Sequence, residues 1–193
     1  MIDRKHFFNS IKTSLFHSFT QPQVDGIDAV LDYWEDNGFY DGRHLAYIFA
    51  TIYHETAKTM QPIEEYGKGK NRPYGKKLKH SGVAYTLPDK IYYGRGLVQL
   101  TWYENYQLMG RLLGYDLLTQ PELACQMKIA IEILFEGMMQ GSSSFGDFTG
   151  KCLEQYFNDE KEDPIGARKI INGTDKADLI AGYYKIFLKA LFV

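Results

Sequence analysis

The chain has 193 residues, 45% hydrophobic and 24% charged, with a formal net charge of -2; it can bury a core without metal or disulfide and is not a globally basic nucleic-acid binder. Its two cysteines, Cys125 and Cys152, show neither CxxC spacing nor a disulfide framework and read as buried small hydrophobes. No segment approaches the roughly 18 to 20 apolar residues that span a bilayer, and "MIDRKHFFNSIKTSLFHSF" lacks the run and cleavage site of a signal peptide, so synthesis in the cytoplasm is expected, with any outside work requiring release or delivery.

Phe7, Phe8, Ile11 and Leu15 mark a first helical stripe. Val24, Ile27, Val30, Leu31 and Trp34 mark a second, entered through Pro22 and stopped at Asn37-Gly38. A third begins after Asp41, a plausible N-cap, with Leu45, Ile48, Phe49 and Ile52 at the i, i+3, i+4, i+7 spacing. It is expected to run until just before Pro62, because proline disfavours the helical region for the residue ahead of it.

From Tyr66 to Gly96 the helical period gives way to Gly, Pro, Tyr and Lys, which predicts a loop-rich excursion with at most short strands. Between Tyr66 and Leu87 lie Lys68, Lys70, Arg72, Lys76, Lys77, Lys79 and His80 and no acidic residue. That run reads either as a solvated loop or as a surface drawn to an anionic polymer or membrane. Periodicity returns at Tyr103, Tyr106, Met109, Leu112 and Leu113, and after Pro121 at Leu123, Met127, Ala130, Ile131, Leu134 and Met138. "QGSSSFGD" reads as a polar turn, Leu153, Tyr156 and Phe157 as a short helix, and Ala167, Ile170 and Ile171 as another, closed at Asn172-Gly173. A last helix is expected from Thr174 as N-cap, carrying Leu179, Ile180, Tyr183, Phe187, Leu188 and Leu191. The fold expected is mainly α, with a small loop-rich or short-β insertion at about 66–96, in a single domain over 1–193 that has room for two lobes and a cleft between them.

Three short motifs fail on their chemistry. "HETAK" begins like the zinc-protease HExxH, but Lys58 stands where the second imidazole ligand must be. "GRGLVQ" has Gln99 in place of the third glycine of a dinucleotide fingerprint and no βαβ unit around it. "YGKK" has no glycine five positions before Gly75 and no Ser or Thr after Lys76, so it is not a phosphate loop.

The glutamates are more informative. Glu55 falls three residues after Ile52 and seven after Ile48, on the apolar face. A carboxyl at the edge of a core is pushed toward the neutral, proton-donating form that a general acid uses; the alternative is a helix-end residue tied to a nearby Arg or backbone amide. Glu64 and Glu65 follow Pro62 and could face Glu55 across a cleft, with the separation of roughly 6.5 to 9.5 Å that an inverting glycosidase uses. Neighbours in an extended segment point opposite ways, so at most one of the two faces the cleft. In "YYGRGLVQLTWYENY" the aromatics Tyr92, Tyr93, Trp102, Tyr103 and Tyr106 alternate with glycines and uncharged polar residues, which suggests a sugar-binding cleft wall.

"HET" at 54–56, "YYGRGLVQLTWYENY" at 92–106 and "INGT" at 171–174 occur in the order found in the family 19 glycoside hydrolases, and the chain resembles that family from about residue 41 to 190. It looks closest to the compact chitinase-like endolysins of bacteria and phages, which cut peptidoglycan. The resemblance implies a lysozyme-like helical domain that hydrolyses β-1,4 glycosidic bonds with inversion, without metal or organic cofactor, acting as a monomer on peptidoglycan or a chitin-like polysaccharide once released or delivered to the cell wall. It implies Glu55 as general acid, Glu65 ahead of Glu64 as general base, and Thr101 as the residue that helps hold the water. It implies Tyr93, Gln99, Asn105, Tyr106 and Asn172 as sugar-binding positions, and Arg95 as a brace rather than a sugar contact. Leu97 replaces the proline usual in plant members, and the cysteines of the secreted plant enzymes are missing.

Overall fold

A computed structural model describes residues 2–85, 90–139 and 148–192; the turn expected in "QGSSSFGD" lies outside them. Helix α1 is Arg4–Ile11, capped by the Asp3 side chain and continued by a π-helical turn. Helix α2, Gln21–Asp36, opens with a capping box in which the Thr20 hydroxyl receives the Gln23 N–H and the Gln23 side chain receives the Thr20 N–H. It closes at Asn37 with Gly38 at a φ of 69°.

Helix α3, Gly42–Glu55, starts where expected, with the Asp41 carboxylate accepting from the Arg43 N–H. Every residue from His44 to Tyr53 is buried, which makes α3 the central helix of the molecule rather than a surface one. It packs most extensively on the last helix, α6 (Ala177–Leu191), through contacts such as Phe49 on Phe187. The buried apolar residues form one cluster drawn from all six helices.

The end of α3 differs from expectation. The helix stops at Glu55, well short of Pro62. Thr56 turns the chain: its hydroxyl donates to Ile52 O at 2.7 Å and accepts from Met60 N at 3.1 Å. Ala57, Lys58 and Met60 all take positive φ. Proline constrains only its immediate predecessor, so it does not set the end of a helix that a side-chain bond has already closed. Gly26 of α2 lies against this turn, where a Cβ would come 2.0 Å from Met60 O.

Beyond the turn, β1 (Ile63–Glu64) pairs antiparallel with β2 (Arg95–Gly96), enclosing the loop-rich excursion. Helix α4 is Tyr103–Leu113 and α5 is Met127–Met138. The short helix expected at Leu153, Tyr156 and Phe157 is a 3-10 turn, Leu153–Gln155, followed by the hairpin β3 (Phe157–Asn158) and β4 (Lys161–Glu162). The Asn158 side chain accepts from Glu160 N at 3.0 Å and makes the turn. The last helix begins at Ala177 rather than near Thr174, because Gly173 and Lys176 sit at positive φ and Thr174 O closes a separate turn onto Ala177 N. No helix among the described residues is long and apolar enough to cross a membrane.

Candidate active site

Glu55 is the last residue of α3, at the point where the buried helix reaches a cleft of about 270 Å³. Its Oε1 accepts from Arg168 Nη1 at 2.6 Å, and the two side chains are 14% and 3% exposed. Arg168 comes from a 3-10 turn, Gly166–Ile170, and its Nε donates to Asp175 O at 2.9 Å. The carboxyl lines the cleft and is tied to an arginine, so the ion-paired helix end that the sequence left open is present. Arg168 carries no expected role in the sequence reading. A lone arginine between Ala167 and Ile170 was its one visible signal, since such a cation is buried only with a partner.

The antiparallel pair separates Glu64 from Glu65, as strand alternation requires. Glu64 lies opposite Arg95 in the register. Its carboxylate accepts from Tyr93 Oη at 2.6 Å and Arg95 Nε at 3.3 Å, and pairs with Lys68 Nζ at 2.9 Å. The Tyr93 hydrogen bond, with Lys68 and Arg95, pulls its pKa down to about 2. Glu65 looks the other way. Its Oε1 accepts from Tyr74 Oη at 3.0 Å and its Oε2 from the Gly94 N–H at 3.2 Å. Tyr74 lines the same cleft as Glu55.

The second wall comes from the segment after β2. Gln99, Thr101, Trp102 and Asn105 line the cleft. Gln99 sits at a φ of 54° with its amide donating to Ile63 O, the Thr101 hydroxyl donates to Gln99 O at 2.7 Å, and the Asn105 amide donates to Thr101 O at 3.0 Å. Asn172, Phe148 and Ile171 also line the cleft. Phe148, Ile171 and Tyr74 were not among the expected site residues.

The aromatic wall is thinner than its sequence suggests. Tyr92, Tyr93 and Tyr106 are 1%, 7% and 0% exposed. Tyr106 donates to Tyr93 O at 2.8 Å and accepts from Arg95 Nη1, while the Arg95 guanidinium lies 3.6 Å over the Tyr93 ring. Tyr93 and Tyr106, expected to touch sugar, are placed inside a brace behind β1 and β2, and of the five aromatics Trp102 alone lines the cleft. The glycine and aromatic pattern of a cleft wall and of a folded core are the same, and burial decides between them.

Known proteins resemble the chain as follows. The family model for glycoside hydrolase family 19, chitinase class I, matches residues 40–142, more than half of the chain. An endochitinase of Arabidopsis thaliana is 44% identical over 82 residues, 42% of this chain and 29% of that protein. An inactive chitinase-like protein of Hevea brasiliensis is 48% identical over 42 residues, 22% of this chain and 13% of that one. The chain thus matches less than a third of the length of these curated relatives. A solved bacterial family 19 chitinase has the same fold, with a TM-score of 0.65 at 21% identity over 100% of this chain and 95% of that one.

Proposed function

The chain belongs to glycoside hydrolase family 19, the class I chitinases, and from that premise we propose that it hydrolyses β-1,4 bonds in an N-acetylglucosamine polymer of the chitin type by an inverting acid–base mechanism. The observation that carries this reading is that one cleft holds both Glu55 and Tyr74, the latter bonded to Glu65. Glu55 protonates the departing glycosidic oxygen. Glu65 takes a proton from a water that attacks the opposite face of the sugar, and Thr101 helps to place that water. Gln99, Asn105, Asn172 and Trp102 hold the chain of sugars along the cleft.

Glu64 is the weaker candidate for base on two counts. It lies on the face of β1 that carries Arg95 and Tyr93, and a carboxylate with a pKa near 2 has little affinity for the proton it must abstract at neutral pH. The names of the relatives favour chitin as substrate. One observation favours a second substrate, the glycan of peptidoglycan: the loop that carries Tyr74 into the cleft also carries Lys70, Arg72 and Lys76, which suit an anionic wall. On that reading the protein acts at the cell wall after release or delivery.

Release of reducing ends from soluble N-acetylglucosamine oligomers and from purified peptidoglycan, by wild type and Glu55→Gln, tests both readings. The expected result is cleavage of the oligomers and a loss of at least about a hundredfold in Glu55→Gln, the scale of a missing general acid. Cleavage of peptidoglycan alone would transfer the proposal to the second substrate. Binding without cleavage of either would make the protein a sugar-binding relative rather than an enzyme.

A further inference from the structure

Tyr74 belongs to neither half of the acid–base pair, yet its placement is closely controlled. It sits in a 3-10 turn, Pro73–Lys76, of the basic loop. That turn is pinned by Arg72 N donating to Gly69 O at 3.0 Å and Gly75 N donating to Arg72 O at 3.1 Å. Gly75 passes so close to Gly69 that a Cβ would lie 1.9 Å from the Gly69 carbonyl oxygen. No side chain fits at 75, and the loop can cross itself there only as glycine.

The ring of Tyr74 meets Trp102 edge-on, with centroids 5.5 Å apart, and His80 meets Trp102 from another side at 4.9 Å. Trp102 itself holds a φ of 78°, a conformation that costs a bulky residue on the order of 1–3 kcal/mol. It is kept there by its N–H donating to Tyr92 O at 2.9 Å and by its carbonyl accepting from Tyr106 N at 3.2 Å. The rigid partner of Tyr74 is thus fastened to the buried brace behind β1 and β2. Burial and the adjacent Glu65 push the Tyr74 phenol up to about 12, so it remains a hydrogen-bond donor across the working range of pH.

We propose that Tyr74 is a positioning residue for the general base: with Gly94 N–H on the other oxygen, its hydroxyl fixes the Glu65 carboxylate so that a free lone pair meets the attacking water, and Trp102 buttresses it. The proposal rests on Glu65 being the base. It assigns the basic loop a part in the chemistry, since the loop delivers one of the two hydrogen bonds that aim the carboxylate.

Steady-state kinetics of Tyr74→Phe on a soluble N-acetylglucosamine oligomer, beside Glu65→Gln and Glu64→Gln, test it. Tyr74→Phe keeps the ring and removes one hydrogen bond, so kcat is expected to fall about tenfold, the equivalent of roughly 1.4 kcal/mol, with KM unchanged. Should that variant melt below wild type, the kinetics are read at a temperature below its melting transition, where the fall in kcat at constant KM is still expected. A wild-type kcat in Tyr74→Phe with an inactive Glu65→Gln would overturn the positioning role and leave the base intact. A raised KM with kcat intact would make Tyr74 a sugar contact instead. An active Glu65→Gln beside an inactive Glu64→Gln would remove the base assignment, and the role of Tyr74 with it.

Discussion

Arg168 reaches Glu55 with a 2.6 Å hydrogen bond that joins two points 113 residues apart in the chain. The bond fastens the end of the central helix to the turn before the last helix, and the carboxyl stays at the mouth of the cleft. Both partners are largely buried. Removing one of them leaves an uncompensated charge, a loss of about 3–5 kcal/mol for buried pairs. Arg168→Met is therefore expected to lower the unfolding free energy by that order in urea titration, and Arg168→Met with Glu55→Gln to recover part of it. An additive double variant would show that the two side chains do not share one interaction.

Glu64 makes stability depend on pH in acid. Its folded pKa lies near 2 and below the ordinary carboxylate value of 4.5, because Tyr93, Lys68 and Arg95 hold its charged form. The unfolded chain binds that proton first. The stabilisation is complete above about 4.5 and is lost as pH falls through 2. The difference in melting temperature between wild type and Glu64→Gln should shrink across that window. A difference that stays constant from pH 6 to pH 2 would contradict the ion cluster.

Thr51 lies one helical turn before Glu55, fully buried, and its hydroxyl has no hydrogen-bond partner among the described residues. An unmet buried hydroxyl costs about 1–3 kcal/mol. Thr51→Val has nearly the same shape without the polar atom, and a higher melting temperature is expected. A lower one would mean that the hydroxyl makes a bond in solution.

Gly26 is the point where α2 touches the turn after Glu55. Gly26→Ala would ordinarily favour a helix by about 1 kcal/mol. Here it meets the Met60 carbonyl, and a loss of about 1–3 kcal/mol is expected from overpacking. Stabilisation by the alanine would show that the turn yields freely.

The sequence makes the helical frame legible because burial repeats at helical spacing and the end signals are chemical: Pro22, Asp41 and Gly38 stand where helices start and stop. It places Glu55 on the buried face for the same reason. The end of α3 is not legible, since it depends on one threonine hydroxyl that closes the turn in three dimensions. Phe157 is misplaced because Leu153, Tyr156 and Phe157 satisfy a helical spacing while Asn158 supplies a hairpin turn that outweighs it. Tyr93 and Tyr106 show the limit for the site. An aromatic beside glycine serves a core or a cleft equally well, and only the Arg95 brace settles which. Arg168 reaches Glu55 across 113 residues of chain, and Tyr74 reaches Glu65 through a loop that folds back over nine, and no periodic pattern records either contact.

Proton NMR of the first sugar released from a soluble N-acetylglucosamine oligomer by the wild-type protein tests the central claim most directly. The proposed inverting mechanism, with Glu55 as acid and Glu65 as base on the attacking water, predicts the α-anomer in the initial turnovers. Retention as the β-anomer, or no cleavage at all, would contradict it.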